Sequence, residues 1–145
     1  MNLTIWGAAK QVTGSMHLLS LANDYNILID CGADFNINTK LLQDYNPIPF
    51  DASTINLIVL THAHLDHSGN IPLLVQRGFK GPVLCTAPTE SLTRLLLDDY
   101  SCINKTKILT NKKAKKNVVL VNHRIDSGLY LHQQVDVARS SFVLI

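Results

Sequence analysis

Short apolar runs separated by turn residues fill the first half of the chain. Leu3 to Trp6, His17 to Leu21, Tyr25 to Ile29 and Ile55 to Leu60 each read as a strand, because such runs are too brief for a buried helix. Gly7 and Gly14 lie between the first two runs and permit the tight turns that a hairpin-like connection requires. Asn23-Asp24 supplies the turn into the third run, since both side chains favour turn geometry. Leu41 to Tyr45 reads as a helical turn, ended by Pro47 and Pro49.

Strand and helix then alternate. After Ile55 to Leu60, Ile71 to Arg77 reads as a helix that stops at Gly78. Pro82 to Cys85 is a short buried strand, and Thr86 to Thr89 leads into a helix over Glu90 to Asp99, where Leu92, Leu95 and Leu96 have helical spacing. That alternation predicts an α/β layered domain. Beyond Tyr100, Val118 to Val121, Leu129 to His132 and Phe142 to Ile145 could each be strands, without an evident partner. The chain thus divides into a domain part over 1–100, a Lys-rich connector over 101–117 and an unassigned stretch over 118–145.

With 145 residues and a hydrophobic fraction of 46%, the chain has the size and the apolar content of one globular domain. No window reaches the roughly 18 apolar residues needed to cross a bilayer, and the first residues do not resemble a signal peptide, so a cytoplasmic location is expected. Cys31, Cys85 and Cys102 are odd in number and widely spaced, which argues for small buried hydrophobes rather than disulfides or a thiolate zinc site. A formal net charge of +2 does not announce a nucleic-acid binder. The run Lys105, Lys107, Lys112, Lys113, Lys115 and Lys116 is either a solvated connector or a set of phosphate contacts.

The chemistry concentrates in His62-Ala63-His64-Leu65-Asp66-His67, delivered by the apolar strand before Thr61. Imidazole nitrogen and carboxylate oxygen both suit zinc, and alternation along a loop lets His62 and His64 face one ion while Asp66 and His67 face another. Two divalent ions roughly 3.5 to 4 Å apart can share a hydroxide and stabilise the oxygens of a displaced phosphate. Isolated histidines such as His17, His123 and His132 carry no such signal. Asp30, which closes an apolar strand, could be only a turn residue.

Thr61-His62-Ala63-His64-Leu65-Asp66-His67-Ser68-Gly69 resembles the signature of the metallo-β-lactamase superfamily. Gly7-Ala8-Ala9-Lys10-Gln11-Val12-Thr13-Gly14-Ser15, Leu28-Ile29-Asp30-Cys31-Gly32, Gly69 to Leu74 and Cys85 to Thr89 are similar to its β-CASP branch of RNA-processing nucleases. The resemblance spans Leu3 to Asp99. It implies an αββα sandwich, of which this chain would hold the N-terminal half, and a site of two zinc ions. His62 and His64 would bind the first ion, and Asp66 and His67 the second, with Asp66 also the catalytic group that orients or deprotonates the attacking water. Asp30 would stand behind the ligands, accepting a hydrogen bond from a ligand histidine or the loop backbone.

The same family completes its site with a histidine, a bridging aspartate and another histidine further along. His123, His132, Asp126 and Asp136 do not match those settings, and no room remains for the β-CASP cap. A zinc held by two histidines is under-coordinated. These readings point to a truncated RNA-processing metallo-hydrolase cleaving phosphodiester bonds of RNA, with DNA as the other polymer. A hydrolase of small esters or thioesters, and an inactive fragment acting as a non-catalytic partner, are the alternatives. An open apolar sheet surface would favour association, with a second copy or a complementing chain.

Overall fold

The structure is a computed structural model that describes residues 1–35, 46–103, 135–136, 138 and 141–145, together with the backbone of 104–114. Six strands form one sheet in the order β1 (Asn2–Gly7), β2 (Met16–Ser20), β3 (Asn26–Ile29), β4 (Leu57–Val59), β5 (Val83–Cys85) and β6 (Phe142–Leu144). The first three are antiparallel neighbours, and β3 to β6 run parallel. Helices α1 (Leu65–Ser68) and α2 (Ile71–Gln76) follow β4, and α3 (Ala87–Ala114) follows β5. Parallel strands need such crossovers, whereas antiparallel β2 and β3 need only the turn at Asn23 and Asp24, both at positive φ.

The expected α/β fold class is therefore present. Register explains the core. Leu18, Leu28, Ile58, Val83 and Phe142 are consecutive cross-strand partners and point to one face. There they pack in one cluster with Ile71, Leu73 and Leu74 of α2 and with Phe79 beyond it. The neighbouring row, Ile5, His17, Ile29, Val59, Leu84 and Val143, faces the other way. Its ends, Ile5 and Val143, are 54% and 46% exposed, on the sheet surface that the sequence analysis expected to lie open.

Several boundaries differ from the sequence expectation. The run Ile55 to Leu60 yields a shorter strand, because Ala52–Thr54 forms a 3-10 turn capped by the Asp51 carboxylate and carries the chain as far as Ile55. Helix α3 extends well beyond Asp99, so 101–114 continues the helix instead of forming a connector loop. No glycine or proline interrupts that stretch, and lysine is a good helix former. Phe142 to Ile145 finds its partner in β5. The expected elements at Leu41 to Tyr45, Val118 to Val121 and Leu129 to His132 lie outside the described residues.

From the stretch left unassigned by sequence, Ala138 joins the main core, and Val135 packs with Leu97 against Leu65 and Tyr100. Among the described residues, no helix is long and apolar enough to cross a membrane.

Candidate metal centre

The histidine motif leaves the end of β4, and its second half is a single helical turn, α1, with His64 at the N-cap. The expected six-residue loop is thus a loop only over its first half. The turn matters because it sets Asp66 and His67 on a rigid backbone instead of a free loop. Helix α2 starts directly afterwards, with its first residues buried beneath the sheet.

Three separated segments are knitted together around this turn. Ser15 donates its backbone N–H to the Asp66 carbonyl at 2.8 Å, and Gly32 donates to the Ser15 carbonyl at 2.9 Å. Cys31 donates to the His67 carbonyl at 2.7 Å and Ala33 to the Leu65 carbonyl at 2.9 Å. Asn70, 2% exposed, donates its side-chain amide to the Gly32 carbonyl at 2.7 Å. Ser68 donates its hydroxyl to the Ala63 carbonyl at 2.9 Å. A Cβ on Gly32 would overlap the Asp66 carbonyl, so only glycine lets the two backbones approach this closely.

Asp30 is the hub. It stands just past β3, buried at 3% exposure, with φ at 59°, a conformation that aspartate tolerates better than most residues. Its Oδ1 accepts from the Thr61 backbone N–H at 2.8 Å. Its Oδ2 lies 2.8 Å from His67 Nδ1. The Thr61 hydroxyl donates to the same carboxylate, at 3.0 and 2.9 Å from the two oxygens, and also lies 3.0 Å from His62 Nδ1.

With its Nδ1 engaged by Asp30, His67 turns Nε2 outward, 3.6 Å from Asp66 Oδ2. Two ligands bound at about 2.1 Å to one ion stand no more than about 4.2 Å apart, so this pair fits a shared zinc. The rings of His62 and His67 are 4.0 Å apart between centroids, and those of His62 and His64 are 4.9 Å apart. The motif thus brings His62, His64, Asp66 and His67 to one place. Among the described residues, no three His, Cys, Asp or Glu side chains converge tightly enough to hold an ion unaided.

Cys31, adjacent to Asp30, is fully buried. Burial first, and the neighbouring Asp30 charge second, push its thiol far above the ordinary range. Burial likewise raises the Cys85 thiol, with the Glu90 charge adding to it. Among the described residues Asp136 joins no metal-holding group with the motif, and His123, His132 and Asp126 lie outside the described residues. Beside the turn, Trp6, Gln11, Met16, Gly32 and Asp34 line part of a cavity of about 100 Å³. Gln11 and Thr13 both bond the Asp34 carboxylate, at 2.8 and 2.9 Å, which ties the loop Gly7 to Ser15 to this wall.

Sequence reasoning assigned no role to Thr61 or Asn70. A hydroxyl between an apolar strand and the first histidine, and an amide opening an otherwise apolar helix, were the signals available.

The family model described as the metallo-β-lactamase superfamily matches residues 11–124. The chain is 41% identical over 99 residues to a protein of Thermus thermophilus named Ribonuclease TTHA0252, covering 68% of this chain and 22% of that one. It is 43% identical over 101 residues to the transcription termination factor FttA of Methanosarcina mazei, covering 69% and 16%. A solved structure titled as the short form of human tRNase Z shows 24% identity over 64% of this chain and 38% of that one, with a TM-score of 0.43. The chain belongs to the metallo-β-lactamase superfamily, and its curated relatives stand on the RNA-processing side of it. It spans about a fifth of the length of the relatives it matches.

Proposed function

We propose that this chain carries the zinc-binding motif of an RNA-processing metallo-hydrolase that cleaves phosphodiester bonds. The observation that carries the reading is the pairing of His67 Nε2 with Asp66 Oδ2 while Asp30 holds the other face of the same imidazole. Such a carboxylate behind a histidine fixes its orientation and raises its basicity as a ligand. Relatives named as a ribonuclease and a transcription termination factor support RNA as the polymer. DNA is the other polymer the same chemistry serves.

His62 and His64 would hold one zinc, and Asp66 and His67 the other. Zinc, when bound there, would lower the pKa of a coordinated water and offset charge on the phosphate oxygens. Asp66, at the edge of the turn, would also orient the attacking water and take its proton. The backbone bonds from Ser15, Cys31 and Ala33 keep the turn from shifting as that happens.

One observation favours a second reading. Among the described residues no third ligand joins Asp66 and His67 closely, and a fragment that serves as a non-catalytic partner is the reading in which that pair binds no catalytic ion.

The deciding experiment is cleavage of a fluorescent RNA hairpin by the chain supplied with zinc, compared with His64→Ala. Metal-dependent cleavage that disappears in the variant, with an unchanged circular dichroism spectrum, supports the hydrolase. Unchanged turnover in His64→Ala removes the motif from the mechanism, and no cleavage by either chain selects the non-catalytic partner.

A further inference from the structure

We propose that Thr61 is a positioning residue: its hydroxyl relays the Asp30 carboxylate to His62 and fixes that ring with the proton on Nδ1 and the lone pair on Nε2. The inference deepens the metal-centre reading above and rests on it. A threonine hydroxyl has one proton to give and two lone pairs to receive. Thr61 Oγ1 stands within bonding distance of three atoms, the two Asp30 oxygens at 3.0 and 2.9 Å and His62 Nδ1 at 3.0 Å.

The single proton goes to the carboxylate. A bond to an ionised acceptor is roughly twice as strong as one between neutral groups, and Asp30 is almost wholly shut off from water. With its proton spent, Thr61 Oγ1 can only accept from His62, so His62 must carry its proton on Nδ1. Nε2 is then left as the nitrogen free to bind.

The same carboxylate acts on His67 without an intermediary. It accepts at Oδ2 and so places the His67 proton on Nδ1 as well. One buried aspartate therefore sets two imidazoles in the same tautomer, His67 directly and His62 through Thr61. The backbone supports the relay, because the Thr61 N–H is bound to Asp30 Oδ1 and the residue cannot swing away without breaking it.

The test reads the tautomer in the metal-free chain, by long-range proton–nitrogen NMR on protein labelled with ¹⁵N-histidine. Spectra are recorded at a pH of about 9, where free imidazole is neutral. The expected result is His62 with its proton on Nδ1 in the native chain and in Thr61→Ser, which keeps the hydroxyl. Thr61→Val, similar in shape but without it, should show His62 shifted toward the Nε2-protonated form that free imidazole side chains prefer. Zinc affinity by chelator competition should fall about tenfold in Thr61→Val and recover in Thr61→Ser.

His62 protonated on Nε2 in the native chain overturns the proposal before any variant is made, as does a tautomer that Thr61→Val leaves alone. Should the tautomers behave as expected while no chain binds zinc, the relay stands and the metal-centre reading falls.

Discussion

His67 Nδ1 and Asp30 Oδ2 lie 2.8 Å apart across a separation of 37 residues, and this bond joins the end of β3 to the turn that follows β4. Because β3 and β4 are parallel neighbours in the sheet, their ends emerge side by side. A carboxylate at one end and a histidine turn at the other are thereby held in a fixed relation. α/β sheets place chemistry at such strand ends.

Asp30→Asn tests that relation at the metal. Asparagine tolerates the same positive φ and keeps an oxygen for Thr61, but it removes the charge that His67 and Thr61 share. Zinc affinity should fall about 10- to 100-fold, the usual effect of losing a carboxylate behind a ligand histidine. Competition against a chelator measures it, and an affinity within twofold of the native chain would show that the carboxylate charge does not serve the metal.

Gly32→Ala probes the close approach of two backbones. The added methyl would overlap the Asp66 carbonyl, which also accepts from Ser15. Relief must come from moving the turn, so urea unfolding should show a loss of about 3 kcal/mol, at the upper end of overpacking costs. A change below 0.5 kcal/mol, within the ordinary range for harmless surface substitutions, would mean that the segments are less tightly joined.

Thiol chemistry should separate the three cysteines. Cys31 and Cys85 are buried as expected, whereas Cys102, also expected to be buried, is exposed on α3, so iodoacetamide at pH 8 should label Cys102 alone in the folded chain and all three in urea. Burial raises both inner thiols above their ordinary range. The unfolded chain then releases those protons first, so their contribution to stability is complete below about pH 8.5 and is lost as pH rises beyond it. Mass spectrometry of the labelled peptides checks the first expectation. Unfolding curves at pH 7 and 10 check the second, with equal stability at both the contrary result.

The strands were legible because each is a short apolar run bounded by Gly, Asn, Asp or Pro, and the motif was legible because its ligands are nearly contiguous. Asp30 could be read only through resemblance. An aspartate after an apolar strand looks like a turn residue until the parallel pairing of β3 with β4 brings it beneath His67. Thr61 was hidden for the same reason, since its role depends on an oxygen 31 residues away. The length of α3 was missed because lysines were read for charge, whereas their helix propensity and the lack of a breaker extend it to Ala114.

The central claim, that this turn is a metal centre, is tested most directly by zinc content per folded chain, measured by elemental analysis on protein purified without chelator. A metal centre built on His62, His64, Asp66 and His67 predicts at least one equivalent in the native chain and almost none after His62→Ala, His64→Ala and His67→Ala are combined. Little zinc in the native chain, or the same amount in the triple variant, would contradict it.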